Sequence, residues 1–412
     1  MKLQTLKGFR DFLPQDARKR KYVIQRLTQI FERYGFEPLE TPALEFEELL
    51  TGKYGEEGEK LMYRFKDRGD RHVAMRYDQT VPLARVIVNY QDKLPLPFKR
   101  YQIQPVWRAE NTQKGRYREF LQCDADILGV NSEVADAELL ALASDGLKNL
   151  GFTNFTVRVN DRKIFSRLVE KGFISNSELI SVVVAIDKLK KIGKQGVTAE
   201  LIEHGIQSEN AEKILSHIEE EKATEYIITL HKHLEELGQD PKHFVFDPTL
   251  ARGLDYYTDL IFEIEVENIS GSVCGGGRYN NLIKDLTELD IAASGFAYGF
   301  DRIIEAMEEL NLFPHHLQAS STKVLVTVYD KHLAKYSLNI AYHLRENGIN
   351  TQVYEDTEAK FEKQLKYADR KKIPFVILAG PQEKENDTVT IKNLITGEQK
   401  EIPRTDLSKE LA

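Results

Sequence analysis

Apolar residues recur at helical spacing between positions 14 and 35. Val23, Leu27, Ile30, Phe31 and Tyr34 share one face, and Gly35 is a good stop. The spacing predicts a helix there. Residues 60–128 are strand-rich: FKRYQIQPVWR (98–108) and REFLQCDADILG (118–129) are extended runs, joined by the polar segment AENTQKGRY (109–117). That pattern predicts an antiparallel hairpin with a long loop. Residues 133–150 return to a helical period through Val134, Ala137, Leu140, Ala141, Leu147 and Leu150. From 161 to 240, charged helical stretches follow one another, and strand signals resume at 244–300. A helical block between two strand-rich blocks predicts an inserted subdomain; the plainer alternative is more helices of one domain. A boundary falls near 311–322, NLFPHHLQASST. Beyond it strand KVLVTV, helix 331–346, strand NTQVY, helix 357–370 and strand PFVILAG alternate, followed by TVTIKNL and EQKEI. This predicts a compact C-terminal α/β domain.

Two strands carry more than a fold signal. In FLQCDADIL (120–128), Leu121, Cys123, Ala125 and Ile127 lie on one face and Phe120, Gln122, Asp124 and Asp126 on the other. Burying the first face points a Gln and two carboxylates the opposite way. A strand with one wet face would look the same. In LARGLDYYTDLIFEIE (250–265), Leu260, Phe262 and Ile264 alternate with Ile261, Glu263 and Glu265, an ordinary strand. An arginine, a glycine, an aspartate and two tyrosines stand at its head. A turn with a tyrosine pair packed into the core is the plain reading.

Composition narrows the classes. The chain has 412 residues, enough for two or three domains, and is 41% hydrophobic and 30% charged. With 57 Lys+Arg against 65 Asp+Glu, its net charge is −8, so it has no global basic signature for nucleic acid. An RNA partner needs only a local basic surface, and the C-terminal block is the less acidic part. Cys123 and Cys274 are the only cysteines, too few for a disulfide framework or a Cys-based zinc site. The start lacks the apolar stretch of a secretory signal, and no apolar run approaches about 20 residues. A cytoplasmic multidomain protein is expected.

Other motifs are ambiguous alone. RYDQT (76–80) precedes a helix that Asp78 and Thr80 would cap. CGGGRYNNL (274–282) lets backbone approach a ligand or another strand, but lacks P-loop and dinucleotide spacings. SGFAYGFDRII (294–304) runs a strand into a helix with Arg302 in its first turn. PVWRAE sets Arg108 and Glu110 on one side, and Lys114, Arg116 and Arg118 follow. Arginines beside carboxylates form structural ion pairs or clamp phosphate bidentately. The histidines show no metal-ligand spacing; His231, His233, His315 and His316 read as surface or structural, and no metal site is expected. There is no GxSxG elbow, and neither Cys is nominated as a nucleophile. The residues by themselves suit a phosphate-bearing substrate.

Taken in order, KGFRDFLP (7–14), RYDQTVPLAR (76–85), RYQIQPVWRAENTQKGRYREFLQCDADILG (100–129), ARGLDYYTDLIFE (251–263), GGGRYNNL (275–282) and GFAYGFDRI (295–303) resemble the histidyl-tRNA synthetase family. The likeness runs from residue 7 to near the C-terminus. The tail, with EKQLKYADRKKIPF (362–375), resembles that family's anticodon-binding domain.

The resemblance implies an α+β class II synthetase core, an antiparallel sheet flanked by helices, over 1–160 and 241–312. It implies a helical insertion over 161–240 and an anticodon-binding α/β domain over 322–412. It also implies an ATP-dependent, AMP-forming histidine–tRNA ligase, a homodimer using ATP, Mg²⁺, histidine and histidine tRNA. By the same likeness Arg108 and Arg252 flank the α-phosphate and the substrate carboxylate. Arg116 and Arg302 hold the γ-phosphate end, Glu110 meets the adenine edge and Phe120 stacks on its face. Asp78, Thr80 and Gln122 receive the α-amino group. Asp126 and Tyr257 bind the imidazole nitrogens, and Tyr256 lines that pocket. Gly253 permits a tight turn, and Asp255 supports its neighbours. Loop 109–117 approaches the acceptor end, and Lys371 and Lys372 are candidates at the anticodon.

Gln79, Asn280 and Asp301 depart from the commonest family pattern, where Leu, Asp and Glu stand. Asp126 and the DQT triplet resemble the eukaryotic and archaeal type of site. The alternatives are the regulatory subunit of ATP phosphoribosyltransferase, which shares the catalytic fold, and an inactive RNA-binding or signalling module.

Overall fold

The structure is a computed structural model that describes all residues except 1, 2, 53, 54, 113, 114, 253–256, 287, 288 and 412. The chain forms two compact units, Met1–Asp11 with Arg20–Leu312, and Phe12–Lys19 with Phe313–Ala412.

The strands of the first unit are β1 (Glu37–Pro38), β2 (Leu44–Phe46), β3 (Arg64–Lys66), β4 (His72–Met75), β5 (Phe98–Trp107), β6 (Glu119–Leu128), β7 (Phe155–Asp161), β8 (Phe244–Phe246), β9 (Leu260–Val266), β10 (Ser272–Arg278) and β11 (Ala293–Gly299). Eight of them form one sheet in the order β1-β5-β6-β11-β10-β9-β7-β8. Its six central strands are antiparallel. The edges depart from the expected all-antiparallel sheet: β1 pairs with β5, and β8 with β7, in parallel. Each short edge strand reaches the sheet through a long connection, so neither is held to the reversal that a hairpin imposes. β2, β4 and β3 make a separate small sheet.

The predicted hairpin is β5–β6, with Trp107 opposite Glu119 and Phe98 opposite Leu128. One face of the large sheet is apolar. Cys123, Tyr298, Cys274, Ile264 and Val157 lie in register across five strands, all buried. The helix Glu133–Leu150 packs on this side. Ser132 caps it by accepting from the Ala135 N–H, and Gly151, with φ of 98°, ends it. Gly146 lets it sit close, since a Cβ there would lie 2.1 Å from the Tyr298 hydroxyl.

Between β7 and β8 run the helices Lys163–Glu170, Leu179–Asp187, Leu189–Glu203, Ser208–Glu219 and Glu225–Glu236. They belong to the first unit by contacts. Phe165, Val182, Ile186, Leu201 and Ile214 form a core that also takes in Leu250, Ala251, Tyr257 and Ile261. Glu225–Glu236 is tied instead to Glu133–Leu150, because the Tyr226 hydroxyl donates to Asp136 at 2.5 Å. Asp136 also forms a fully buried pair with Arg278 at 2.7 Å. Sequence alone placed all these helices in one block; this buried polar joint attaches the last of them to the sheet's own helix.

In the second unit β12 (Val324–Val326), β13 (Thr351–Val353), β14 (Phe375–Leu378), β15 (Thr388–Asn393) and β16 (Gln399–Pro403) form a sheet ordered β13-β12-β14-β15-β16. The first three are parallel, joined through helices Ala334–Glu346 and Phe361–Arg370, and the last two are antiparallel. The expected alternation of strands and helices is present. Val326, Ile340, Leu344 and Ile377 are central to its core.

Candidate functional site

The opposite face of the large sheet is built from what is missing. Its register runs Gln102–Asp124–Ala297–Gly275–Glu263 in one row and Arg100–Asp126–Gly295–Gly277–Ile261 in the next. The two central strands therefore offer little but glycine and alanine, so neighbouring groups settle close over the sheet between β6 and β9. A larger residue at these glycines is sterically barred. A Cβ on Gly275 would lie 2.1 Å from the guanidinium of Arg252, one on Gly277 2.2 Å from the Leu260 carbonyl, and one on Gly295 2.0 Å from Asp126. Above this floor is a cleft of about 880 Å³.

Every described residue of the expected site lines that cleft: Asp78, Thr80, Arg108, Glu110, Arg116, Phe120, Gln122, Asp126, Arg252, Tyr257 and Arg302. Tyr256, with Gly253 and Asp255, lies outside the described residues, as does Lys114. The side chains divide by charge. At the hairpin-loop end stand Arg108, Arg116 and Arg302. The Arg108 guanidinium lies 4.4 Å from the centre of the Tyr77 ring and 5.2 Å from that of Phe120, and its Nε donates to the Tyr77 carbonyl at 3.0 Å. Its planar cation is thus oriented before any ligand arrives. Arg302 donates to the Ser272 carbonyl at 2.8 Å, and Arg116 lies 3.6 Å from Glu110.

Farther along β6 the site turns acidic. Asp126 is buried and held from two sides: Arg100, fully buried on β5, approaches it at 2.6 Å, and the Tyr279 hydroxyl donates to its other oxygen. Burial pushes the Asp126 carboxyl up, against the pull of Arg100 and Tyr279. Burial likewise pushes Asp124 well up, and Arg100 only partly offsets it. Asp78 accepts from the Thr80 and Val81 amides at 3.1 Å, so it caps helix Thr80–Tyr90 while lining the cleft. The plain and the functional readings of RYDQT are therefore compatible.

On the far wall Arg252 donates to Glu263 at 3.0 Å, and its guanidinium lies 5.6 Å from the centre of the Tyr257 ring. Burial raises the Glu263 carboxyl, and Arg252 counters it. The backbone of Tyr257 is pinned by Arg162, which donates to its carbonyl at 2.7 Å.

The family departures have visible contacts. Gln79 is buried and donates to the Gln104 and Gln122 carbonyls at 2.9 and 3.3 Å, bridging β5 and β6. Asn280 accepts from Arg278 and from the Ala293 amide, both at 3.3 Å. Asp301 accepts from Arg10 at 2.9 Å and Arg20 at 2.6 Å, so it anchors the N-terminal segment and the first helix.

Sequence reasoning missed Arg100, Tyr279 and Glu263, and gave Asp124 a face but no role. Arg100 was within reach: counting back from the hairpin loop sets it opposite Asp126. Glu263 needed the β9–β10 register, which the sequence does not disclose. Among the described residues no group of three or more His, Cys, Asp or Glu could hold a metal ion.

Comparison with known proteins gives the family. Residues 8–303 match the family model described as histidyl-tRNA synthetase, and residues 323–412 match the anticodon binding domain. A histidine–tRNA ligase of Cytophaga hutchinsonii is 41% identical, the match covering 95% of this chain and 96% of that protein. One of Christiangramia forsetii is 38% identical, covering 98% of each. The crystal structure of histidyl-tRNA synthetase from Nostoc sp. PCC 7120 superposes with a TM-score of 0.85 at 28% identity, covering 100% of this chain and 99% of that one. By family match over most of its length, and by full-length likeness to these proteins, this chain belongs to the histidyl-tRNA synthetase family.

Proposed function

We propose that this chain is a histidine–tRNA ligase that makes histidyl-adenylate from histidine and ATP and passes the histidyl group to the 3′-terminal ribose of histidine tRNA. The observation that carries the reading is the glycine-floored cleft, with an oriented arginine at one end and a buried, arginine-backed aspartate at the other. Residues 1–160 and 241–312 serve as the class II catalytic domain, 161–240 as the insertion and 322–412 as the anticodon-binding domain. The regulatory-subunit alternative is not favoured, because full-length relatives are histidine–tRNA ligases and the anticodon-binding domain is matched.

In the first step the histidine carboxylate attacks the α-phosphorus of ATP and pyrophosphate leaves. The nucleophile is already an anion, so no protein base is required. The task is to bring two anions together and to stabilise charge on the pentacoordinate phosphorus. Arg108 and Arg252 flank the α-phosphate and the attacking carboxylate. Arg116 and Arg302 hold the γ-phosphate end, Glu110 meets the adenine edge, and Phe120 stacks on its face. Asp78, Thr80 and Gln122 receive the α-amino group. Asp126 and Tyr257 take the imidazole nitrogens, with Tyr256 beside them. A site built to pair both ring nitrogens leaves buried polar groups unpaired with a wrong amino acid, which discriminates by about 10⁴-fold or more. Mg²⁺ would be bound mainly through ATP and would supply further positive charge there. A homodimer and a cytoplasmic location follow the family; no helix among the described residues is long and apolar enough to cross a membrane.

The test is histidine-dependent ATP–pyrophosphate exchange, with Arg252→Ala as control. Exchange that Arg252→Ala abolishes supports the reading, and none by the unsubstituted protein overturns it. Exchange without charging of histidine tRNA overturns only the second step.

A further inference from the structure

Arg100, Gln102 and Gln104 alternate along β5 on the cleft face of the sheet, opposite Asp126, Asp124 and Gln122. Arg100 and Gln102 are fully buried. Arg100 Nη2 lies 2.6 Å from Asp126 Oδ2, yet neither atom has a hydrogen-bond partner. Charge draws the two groups together, but charge alone does not fix the plane of a guanidinium. Among the described residues the Arg100 side chain donates one hydrogen bond, from Nη1 to Gln102 Oε1 at 3.2 Å.

Gln102 is itself held in one orientation. Its amide nitrogen donates to Thr41 Oγ1 at 2.9 Å and to Gln104 Oε1 at 2.7 Å. Gln104 Oε1 also accepts from the Thr41 backbone amide at 3.0 Å and from Arg76 Nη1 at 2.9 Å. Three donors on one oxygen forbid Gln104 to turn over. Turned over, Gln102 would set its own N–H groups against those of Arg100. Apolar side chains of similar volume would fill this space without the risk of a stranded donor. What the amides add is direction. We infer that Gln102, fixed by Thr41 and Gln104, is a positioning residue that sets the Arg100 guanidinium against Asp126 and so keeps that carboxylate in place for the substrate imidazole.

The inference rests on the reading of the chain as a histidine–tRNA ligase whose Asp126 meets the imidazole. Asp126 faces Arg100 from β5, Asp124 on its own strand, Asp78 ahead of helix Thr80–Tyr90 and the Tyr279 hydroxyl, and β11 brings it Gly295. Of these groups only Arg100 is a cation. Burial pushes the Asp126 carboxyl up, and Arg100 and Tyr279 pull it down. A loosened Arg100 lets it rise further, so the carboxylate is lost at a higher pH.

The test uses the full-length protein in histidine-dependent ATP–pyrophosphate exchange. Gln102→Met keeps the volume and removes the acceptor. It is expected to raise the KM for histidine about tenfold, with the KM for ATP unchanged. Gln102→Glu offers Arg100 a rival carboxylate and should lose at least as much. The histidine KM of Gln102→Met, divided by that of the unsubstituted protein, should grow as pH falls from about 8 to about 6. The imidazole of the substrate titrates alike with both proteins and cancels from the ratio. A merely structural Gln102 would lower the melting temperature and leave that ratio independent of pH. That result, an equal loss for histidine and ATP, or a Gln102→Glu variant that matches the unsubstituted protein would each overturn the inference. Should the Gln102 variants fail to fold, Thr41→Val decides, since it is nearly isosteric and removes the hydroxyl to which Gln102 donates. A rise of about threefold in the histidine KM alone supports the role, and no rise rejects it. Absence of exchange by the unsubstituted protein would instead reject the ligase reading. Thermal stabilisation by histidine, expected to be smaller for Gln102→Met than for the unsubstituted protein, would then still report on Gln102.

Discussion

At the scale of single residues, the cleft works by setting groups in place before a ligand arrives. Tyr257 is buried, pinned through its carbonyl by Arg162, and its ring lies near Arg252. Removing its hydroxyl should cost a hydrogen bond to substrate and little packing. Tyr257→Phe is expected to raise the KM for histidine about tenfold, at unchanged melting temperature; an unchanged KM would remove Tyr257 from imidazole recognition. A second residue offers a pH test. The Tyr101 hydroxyl donates to Glu32 at 3.0 Å, and burial, then Glu32, pushes its pKa from 10.0 up to about 12. The unfolded chain releases this proton near pH 10 and the folded chain two units later. Its contribution to stability is therefore full below pH 10 and is lost as pH rises to about 12. Tyr101→Phe should flatten the fall in urea midpoint across that window.

At the scale of elements, one buried polar joint holds the architecture. Arg278 at the end of β10 pairs bidentately with Asp136 in helix Glu133–Leu150, and its remaining donors meet the Val130 and Ser132 carbonyls at 3.1 Å. Tyr226 brings the helix Glu225–Glu236 to the same carboxylate. Arg278→Met leaves the Asp136 carboxylate buried without its cation, and is expected to cost about 3–5 kcal/mol. The double variant Arg278→Met, Asp136→Leu should recover much of this, because the larger part of the loss is the stranded charge. Urea unfolding midpoints of the two variants check it. An equal loss in both would mean that the pair itself, rather than the orphaned carboxylate, carries the stability.

At the scale of the whole molecule, a chain of net charge −8 is proposed to bind a polyanion. Binding must then come from local basic surface, and its affinity must depend on salt. Raising KCl from about 50 to about 200 mM should raise the KM for tRNA at least tenfold. The KM for histidine, set inside a largely buried site, should change much less. Equal sensitivity of the two would indicate that tRNA is not held mainly through phosphate contacts.

The order of elements was readable from hydrophobic period alone. Helix Pro14–Arg33, the β5–β6 hairpin, helix Glu133–Leu150 and the α/β tail each lie close to where the pattern sets them. These are local properties, dictated by which positions must leave water. The alternation in FLQCDADIL likewise sorted Cys123 and Ala125 from Gln122 and Asp126. Many residues that line the cleft were legible because they stand in motifs that resemble those of a family. What the sequence could not decide was pairing between distant strands. Only the register of β6, β11, β10 and β9 makes glycines 275, 277 and 295 a floor and brings Glu263 to Arg252. Only that register sets the buried Arg100 against Asp126 and Gln102 against Asp124. A residue's charge is a property of the chain; whether that charge is compensated is a property of its neighbours, and those are chosen by tertiary contacts.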